Sequence, residues 1–164
     1  MSVMEKIDLN SIKLIVYDFD GVMTDNKVYL DQHGSEMVQV NRADGLGVAE
    51  LKKLKIKQII ISTEKNPVVN TRAEKLGIYC LQGIENKKDV LKSYCKKNDI
   101  DLKNVAYVGN DINDKEAMGI VGYSFCPVDA HGSIKKISNH ILDTKGGNGV
   151  IRELLDFINN IKGE

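Results

Sequence analysis

Residues 12–25, reading Ile-Lys-Leu-Ile-Val-Tyr-Asp-Phe-Asp-Gly-Val-Met-Thr-Asp, constrain the fold more than any other stretch of this chain. Ile12, Leu14, Ile15 and Val16 form a short apolar run that suits a strand buried on both faces of a parallel sheet. At its end stand Asp18 and Asp20, then Gly21 and a third acid, Asp25. Side chains alternate along a strand, so residues i and i+2 start on the same side. In an open α/β sheet, ligands bind in the crevice beyond the carboxyl ends of the strands. Acids crowded there repel one another unless a cation neutralises them. Taken alone, Asp-Phe-Asp-Gly is also readable as a plain turn, since Asp and Gly are turn formers.

Downstream, strands and helices alternate. Val28–Leu30 and Met37–Val40 flank a Gly-containing turn and predict a β-hairpin. Asp44–Leu54 predicts a helix, with Asp44 as its cap and Leu46, Ala49, Leu51 and Leu54 at mostly helical spacing. Gly45-x-Gly47 is no dinucleotide fingerprint: Glu50 stands where the third Gly belongs, and no strand leads directly into it. Gln58–Ser62 predicts a second buried strand. Asn66-Pro67 opens a helix lined by Val68, Val69, Ala73 and Leu76 and closed by Gly77. A strand follows at 78–81, then a helix over 86–98 burying Val90, Leu91, Tyr94 and Cys95. Val105–Val108 runs into a second acidic loop, Gly109-Asn110-Asp111-Ile112-Asn113-Asp114. Strand 123–126, a short helix near 133–137 and strand 140–142 follow. Gly146-Gly147-Asn148-Gly149 then opens a last amphipathic helix on Val150, Ile151, Leu154, Leu155 and Ile158. The pattern predicts an α/β sandwich on a mainly parallel sheet.

The chain has 164 residues, which fits a single domain over 1–164. Its 23 basic and 23 acidic residues cancel, so no overall field favours nucleic acid or an anionic membrane. Absence of Trp argues against a base-stacking surface. Lys57 lies within a few residues of the apolar run Ile59–Ile61, and no membrane span is expected. The opening MSVMEKIDLN lacks an apolar signal core. Cys80, Cys95 and Cys126 are odd in number, widely spaced and without CxxC, which suits isolated core thiols in a cytoplasmic protein.

Asp18-x-Asp20-Gly21-Val22-x-Thr24-Asp25 resembles the first motif of the haloacid dehalogenase superfamily. It is most similar to the small, capless branch acting on 3-deoxy-octulosonate 8-phosphate and related sugar-acid 9-phosphates. Ser62, Lys87 and the 109–114 loop follow in the order of the remaining motifs, so the resemblance runs from Leu14 to about Glu153. It implies a Rossmann-like, three-layer sandwich with a protruding hairpin and no cap domain. It also implies a phosphatase of sialic-acid or lipopolysaccharide biosynthesis.

By that resemblance Asp18 would attack phosphorus, because a covalent step eases displacement at an anionic phosphate that water attacks poorly. Asp20 would protonate the leaving oxygen and later deprotonate the attacking water. Mg2+ would rest on the Asp18 carboxylate, the Asp20 main-chain oxygen and the loop carrying Asn110, Asp111 and Asp114. Ser62 would bind a phosphoryl oxygen, and Lys87 would neutralise charge. Lys87 is chosen because Gln82-Gly83-x-x-Asn86-Lys87 resembles the branch's Gln-Gly-x-x-Asp-Lys; Lys88 is the fallback. Each has a plainer alternative: a strand-end hydroxyl, a solvated helix face with Lys88 and Lys92, helix caps at Asp111 and Asp114. One departure stands out. Branch members commonly read Gly-Asp-Asp where this chain has Gly109-Asn110-Asp111, which removes a charge from the metal site, weakening it or passing direct ligation to Asp111.

Glu64 stands where the 8-phosphate enzymes usually carry Arg, and a nine-carbon subgroup resembles this chain in having Glu. That subgroup also matches Arg72 and Lys75, which would meet a substrate carboxylate in a neighbouring subunit's site, while Glu64 accepts sugar hydroxyls; the alternative is surface charge. The nonulosonate 9-phosphate is therefore expected over the octulosonate 8-phosphate. The hairpin would build a homotetramer. Two other classes compete. A non-catalytic oligomerisation module would resemble the phosphatase-like domain appended to some sialic-acid cytidylyltransferases. A phospho-receiver carries its acceptor Asp after a middle strand, and here Gln58–Ile61 ends in Ser62.

Overall fold

The computed structural model describes residues 9–162, so most of the N-terminal lead-in lies outside the described residues. Strand β1 (Leu14–Tyr17) is buried at all four positions. A hairpin of β2 (Tyr29–Leu30) and β3 (Glu36–Met37) follows. Next come α1 (Arg42–Lys53), β4 (Lys57–Ile61), α2 (Val68–Leu76) and β5 (Tyr79–Leu81). Then follow α3 (Lys87–Lys97), β6 (Val105–Val108), α4 (Lys115–Met118) and β7 (Tyr123–Cys126). The chain closes with α5 (Gly132–Lys135), β8 (His140–Ile141) and α6 (Val150–Lys162).

The six-stranded sheet runs β5-β4-β1-β6-β7-β8. Every strand pair in it is parallel, with Leu14 opposite both Lys57 and Val105. Burial on both faces explains the apolar runs of β1, of Ile59–Ile61 in β4 and of β6. Ile15 and Tyr17 pack with Val48, Val69, Ile151 and Leu154 on one face. Leu14 and Val16 pack with Leu91, Cys95, Met118 and Ile134 on the other. Three layers result. From β1 the chain builds outward to β4 and β5, then returns to place β6 on the opposite side. The order reverses at β1, the position where an open α/β sheet leaves its crevice.

Helix α1 differs from the sequence expectation. Asn41, not Asp44, is its cap, accepting from Ala43 N at 2.8 Å. Its buried face is Asp44, Gly47, Val48 and Leu51, and Leu46 is 60% exposed. The reason is tertiary: α6 lies so close that a side chain at Gly47 would meet the Ile151 backbone. Asp44 Oδ1 accepts from Ile151 N at 3.1 Å, so Asp44 serves the start of α6 instead of its own helix. Burial raises the Asp44 carboxyl to about 6, against the opposing pull of the Ile151 and Arg152 amides and of Arg72.

Other boundaries move by a residue or two. Asn66 accepts from Val68 N at 3.1 Å, which puts Pro67 at the cap position of α2. Gly77 ends α2 at φ 64, a conformation that favours glycine. In α3, Leu91 and Cys95 are buried, whereas Val90 and Tyr94 are half-buried. The hairpin is shorter than expected, and Tyr29, Leu30 and Met37 on it are 71%, 67% and 64% exposed. All three cysteines are free. Among the described residues no helix is long and apolar enough to cross a membrane.

Candidate active site

The turn after β1 is fixed by its own sequence. Asp18 N donates to Val108 O at 2.9 Å, extending the β1–β6 ladder by one residue. The amides of Val22, Met23 and Thr24 then converge on the Phe19 carbonyl. Thr24 Oγ1 accepts from Gly21 N at 3.2 Å and Asn26 N at 3.1 Å. Gly21 sits at φ 82, and a methyl group there would overlap the Asn110 amide. Gly147 N donates to Val22 O at 3.0 Å, so the glycine loop before α6 braces the acidic turn.

Lys87, the first residue of α3, is 2% exposed. Its Nζ lies 2.9 Å from Asp18 Oδ1 and 2.7 Å from Asp114 Oδ1. Asp114 is itself fully engaged. Its Oδ1 also accepts from Tyr107 OH at 2.9 Å, and its Oδ2 from the amides of Asn110 at 2.9 Å and Asp111 at 3.3 Å. Burial opposes the Lys87 charge, yet Asp18 and Asp114 together raise its pKa. Burial, and then Asp114, hold the Asp18 carboxyl above its ordinary value, against the pull of Lys87. One ammonium is shared by two buried carboxylates, so with both acids ionised a further cation would balance the charge. Asp20, half-buried, is raised by burial and by Glu64, with Lys87 and Thr24 opposing.

A cavity of about 310 Å³ opens here, lined by Asp18, Asp20, Asn26, Thr63, Asn110, Asp111, Ile112 and Asn113. Among the described residues no three His, Cys, Asp or Glu side chains group to hold a metal. A mixed oxygen set remains. Asn110 Oδ1 is buried without a hydrogen-bond partner, beside carboxylates with charge to spare. Hard oxygens of this kind suit Mg2+. Asp111 lines the cavity and also caps the single turn 112–114 through Ile112 N at 2.7 Å. Asp114, expected among the metal ligands, is not at the cavity surface; its oxygens are taken by Lys87, Tyr107 and two amides.

Ser62, the residue after β4, is almost wholly buried, its Oγ accepting from Glu64 N at 3.1 Å, and the lining residue is its neighbour Thr63. Glu64 Oε1 accepts from the amides of Lys65 at 2.7 Å and Asn66 at 2.8 Å. Within one chain, Arg72 and Lys75 are not brought to the acids. They line a separate groove of about 550 Å³ with Arg42 and Lys52. Arg72 Nη2 donates to Asn41 O at 3.0 Å, and its Nε is buried without a partner. Lys88, the fallback, pairs with Glu116 at 3.6 Å. Sequence reasoning missed Tyr107, Asn26, Thr63 and Asn113. Tyr107 carries the only signal, a hydroxyl inside an otherwise aliphatic strand.

A family profile described as haloacid dehalogenase-like hydrolase matches residues 48–154. Over 158 residues the chain is 32% identical to the 3-deoxy-D-manno-octulosonate 8-phosphate phosphatase KdsC of Haemophilus influenzae, covering 95% of this chain and 87% of that protein. The structure superposes with a TM-score of 0.91 on a HAD family hydrolase of Streptomyces avermitilis, 40% identical, covering 95% of this chain and 90% of that one. It also superposes, with a TM-score of 0.89 and 31% identity, on the 3-deoxy-D-manno-octulosonate 8-phosphate phosphatase of Moraxella catarrhalis in complex with magnesium, phosphate and KDO. That match covers 94% of this chain and 92% of the other.

Proposed function

The chain belongs to the haloacid dehalogenase-like hydrolases and is a Mg2+-dependent phosphatase; we propose that it hydrolyses a phosphorylated 2-keto-3-deoxy sugar acid through an aspartyl-phosphate on Asp18. The observation that carries this reading is the enclosed Lys87 ammonium, shared by Asp18 and Asp114 at the switch point of the sheet. Asp18 attacks phosphorus, and the leaving oxygen takes the proton that burial and Glu64 favour on Asp20. Lys87 neutralises charge on Asp18 and the transferring group, and Asp114 with Tyr107 holds it in place. The Ser62 hydroxyl, accepting from Glu64 N, keeps its proton for a phosphoryl oxygen. Asp18, the Asp20 main-chain oxygen and Asn110, with Asp111 beside them, would hold Mg2+, which would supply positive charge for the phosphoryl oxygens.

Two substrates fit the class. Relatives named for the octulosonate 8-phosphate favour the eight-carbon acid. Glu64 favours the nonulosonate 9-phosphate, because a carboxylate beside the phosphoryl site cannot make the contacts of an Arg. Phosphate release from each, with and without EDTA, tests both points. Release abolished by EDTA is expected. A tenfold or greater preference for the 8-phosphate would remove the role given to Glu64, and no release from either would leave the oligomerisation module.

The same site supports a homotetramer. Its cavity offers acids, amides, a hydroxyl and Ile112 but no cation for a substrate carboxylate. Arg72 and Lys75 are available in their own groove to reach a neighbouring chain. The exposed apolar hairpin supplies a surface to bury. Sedimentation at micromolar concentration is expected to give a tetramer; a fully active monomer overturns this assembly.

A further inference from the structure

One long contact crosses the mouth of the acidic cavity. Asn113 Nδ2 donates to Thr63 Oγ1 at 3.4 Å, joining the loop after β4 to the loop after β6. A distance near the upper limit for a hydrogen bond marks a weak interaction, one that a ligand hydroxyl can replace. Both side chains are exposed, and neither makes another side-chain hydrogen bond among the described residues. Asn26 lines the same cavity at φ 69, its N–H anchored by Thr24 Oγ1 at 3.1 Å. Glu64 is absent from this lining, and its Oε1 is occupied by two amides.

With phosphorus at Asp18 and the leaving oxygen at Asp20, the rest of the substrate must pass these outer residues. We propose that Thr63, Asn113 and Asn26 are specificity-determining contacts to the leaving sugar. A hydroxyl enters between Thr63 Oγ1 and Asn113 Nδ2, accepting from the amide and donating to the Thr oxygen, while Asn26 meets a second hydroxyl across the cavity. Neutral amides and hydroxyls suit this task, since they pair with a polyol without the desolvation cost of a charge. A site built to bond a hydroxyl rejects an analogue lacking it, because its own polar groups are then left unpaired. This inference rests on the phosphatase reading above.

The test compares two substrates on the Mg2+-loaded enzyme: the sugar-acid phosphate turned over faster, and 4-nitrophenyl phosphate, whose leaving group has no hydroxyls to read. Thr63→Val and Asn113→Ala are each expected to lower the sugar-to-aryl ratio of kcat/KM by about tenfold, mainly through KM for the sugar. The double variant should lose little more than either single one, because one hydroxyl bridges both residues. Thr63→Ser, which keeps the oxygen, should keep the ratio within about twofold. Parallel loss on both substrates, or an unchanged ratio, overturns the proposal. A wild-type protein that hydrolyses neither substrate overturns the phosphatase reading and this inference with it, and is recognised before any substitution is made.

Discussion

Asp18→Asn is expected to abolish phosphate release while leaving the protein folded. A carboxamide nitrogen or oxygen is a poor nucleophile toward phosphorus, so the covalent route closes. The loss should reach several powers of ten, roughly four, as for removal of the attacking group in other covalent catalysts. The fold should survive for a specific reason. Asp18 is buried, and burial already disfavours its charged form. Replacing it by the neutral amide removes a charge that the folded state holds at a cost. Lys87 keeps Asp114 as its counter-ion at 2.7 Å. Thermal unfolding with the phosphate assay checks both halves; a folded variant retaining more than about a tenth of wild-type turnover sinks the nucleophile assignment.

Lys87→Met should damage both activity and stability. The ammonium is enclosed, with Asp18 and Asp114 as its ion-pair partners. Without it, two carboxylates share a buried site with no cation between them. Breaking a buried pair by removing one partner typically costs about 3–5 kcal/mol. For a chain of this size that corresponds to a fall in Tm on the order of 10 °C, to be read in EDTA so that bound metal does not mask it. Adding Asp114→Asn to the same variant removes the repulsion, so Tm should recover while turnover stays lost. A Lys87→Met protein that melts at the wild-type temperature would show that Lys87 is not the site's internal counter-ion.

Much of this was legible along the chain because each signal was local. The apolar residues at 14–16, 59–61 and 105–108 announced strands buried on both faces, and all three became the centre of the sheet. Asp18, Asp20, Lys87 and Asn110 lay at the ends or starts of such elements. Gly77 could be placed as a helix stop because a left-handed residue there is a property of one backbone position.

The local pattern failed wherever a distant element decided the outcome. Asp44 was expected to cap its own helix, because an acid near a helix start usually does. Instead α6 crosses at Gly47 and claims the Asp44 oxygen for Ile151 N. Asp114 carried the composition of a metal ligand, yet Lys87, 27 residues away, and Tyr107 occupy its oxygen. Arg72 and Lys75, expected to serve a neighbouring subunit's site, lie in the α1–α2 groove of their own chain, and one Glu64 oxygen is tied to its own loop. The sequence by itself determined the parallel α/β order and the acidic turn, since periodicity and turn chemistry act over a few residues, and it named the catalytic candidates through their resemblance to the family's motifs. Only the tertiary structure decided which carboxylates remain open to a ligand and which are spent on the protein's own donors. Hydrogen-bond capacity is finite, and the donors that fill it at Asp114 include a lysine from α3 and a tyrosine hydroxyl from β6, separate elements that meet only in the folded chain.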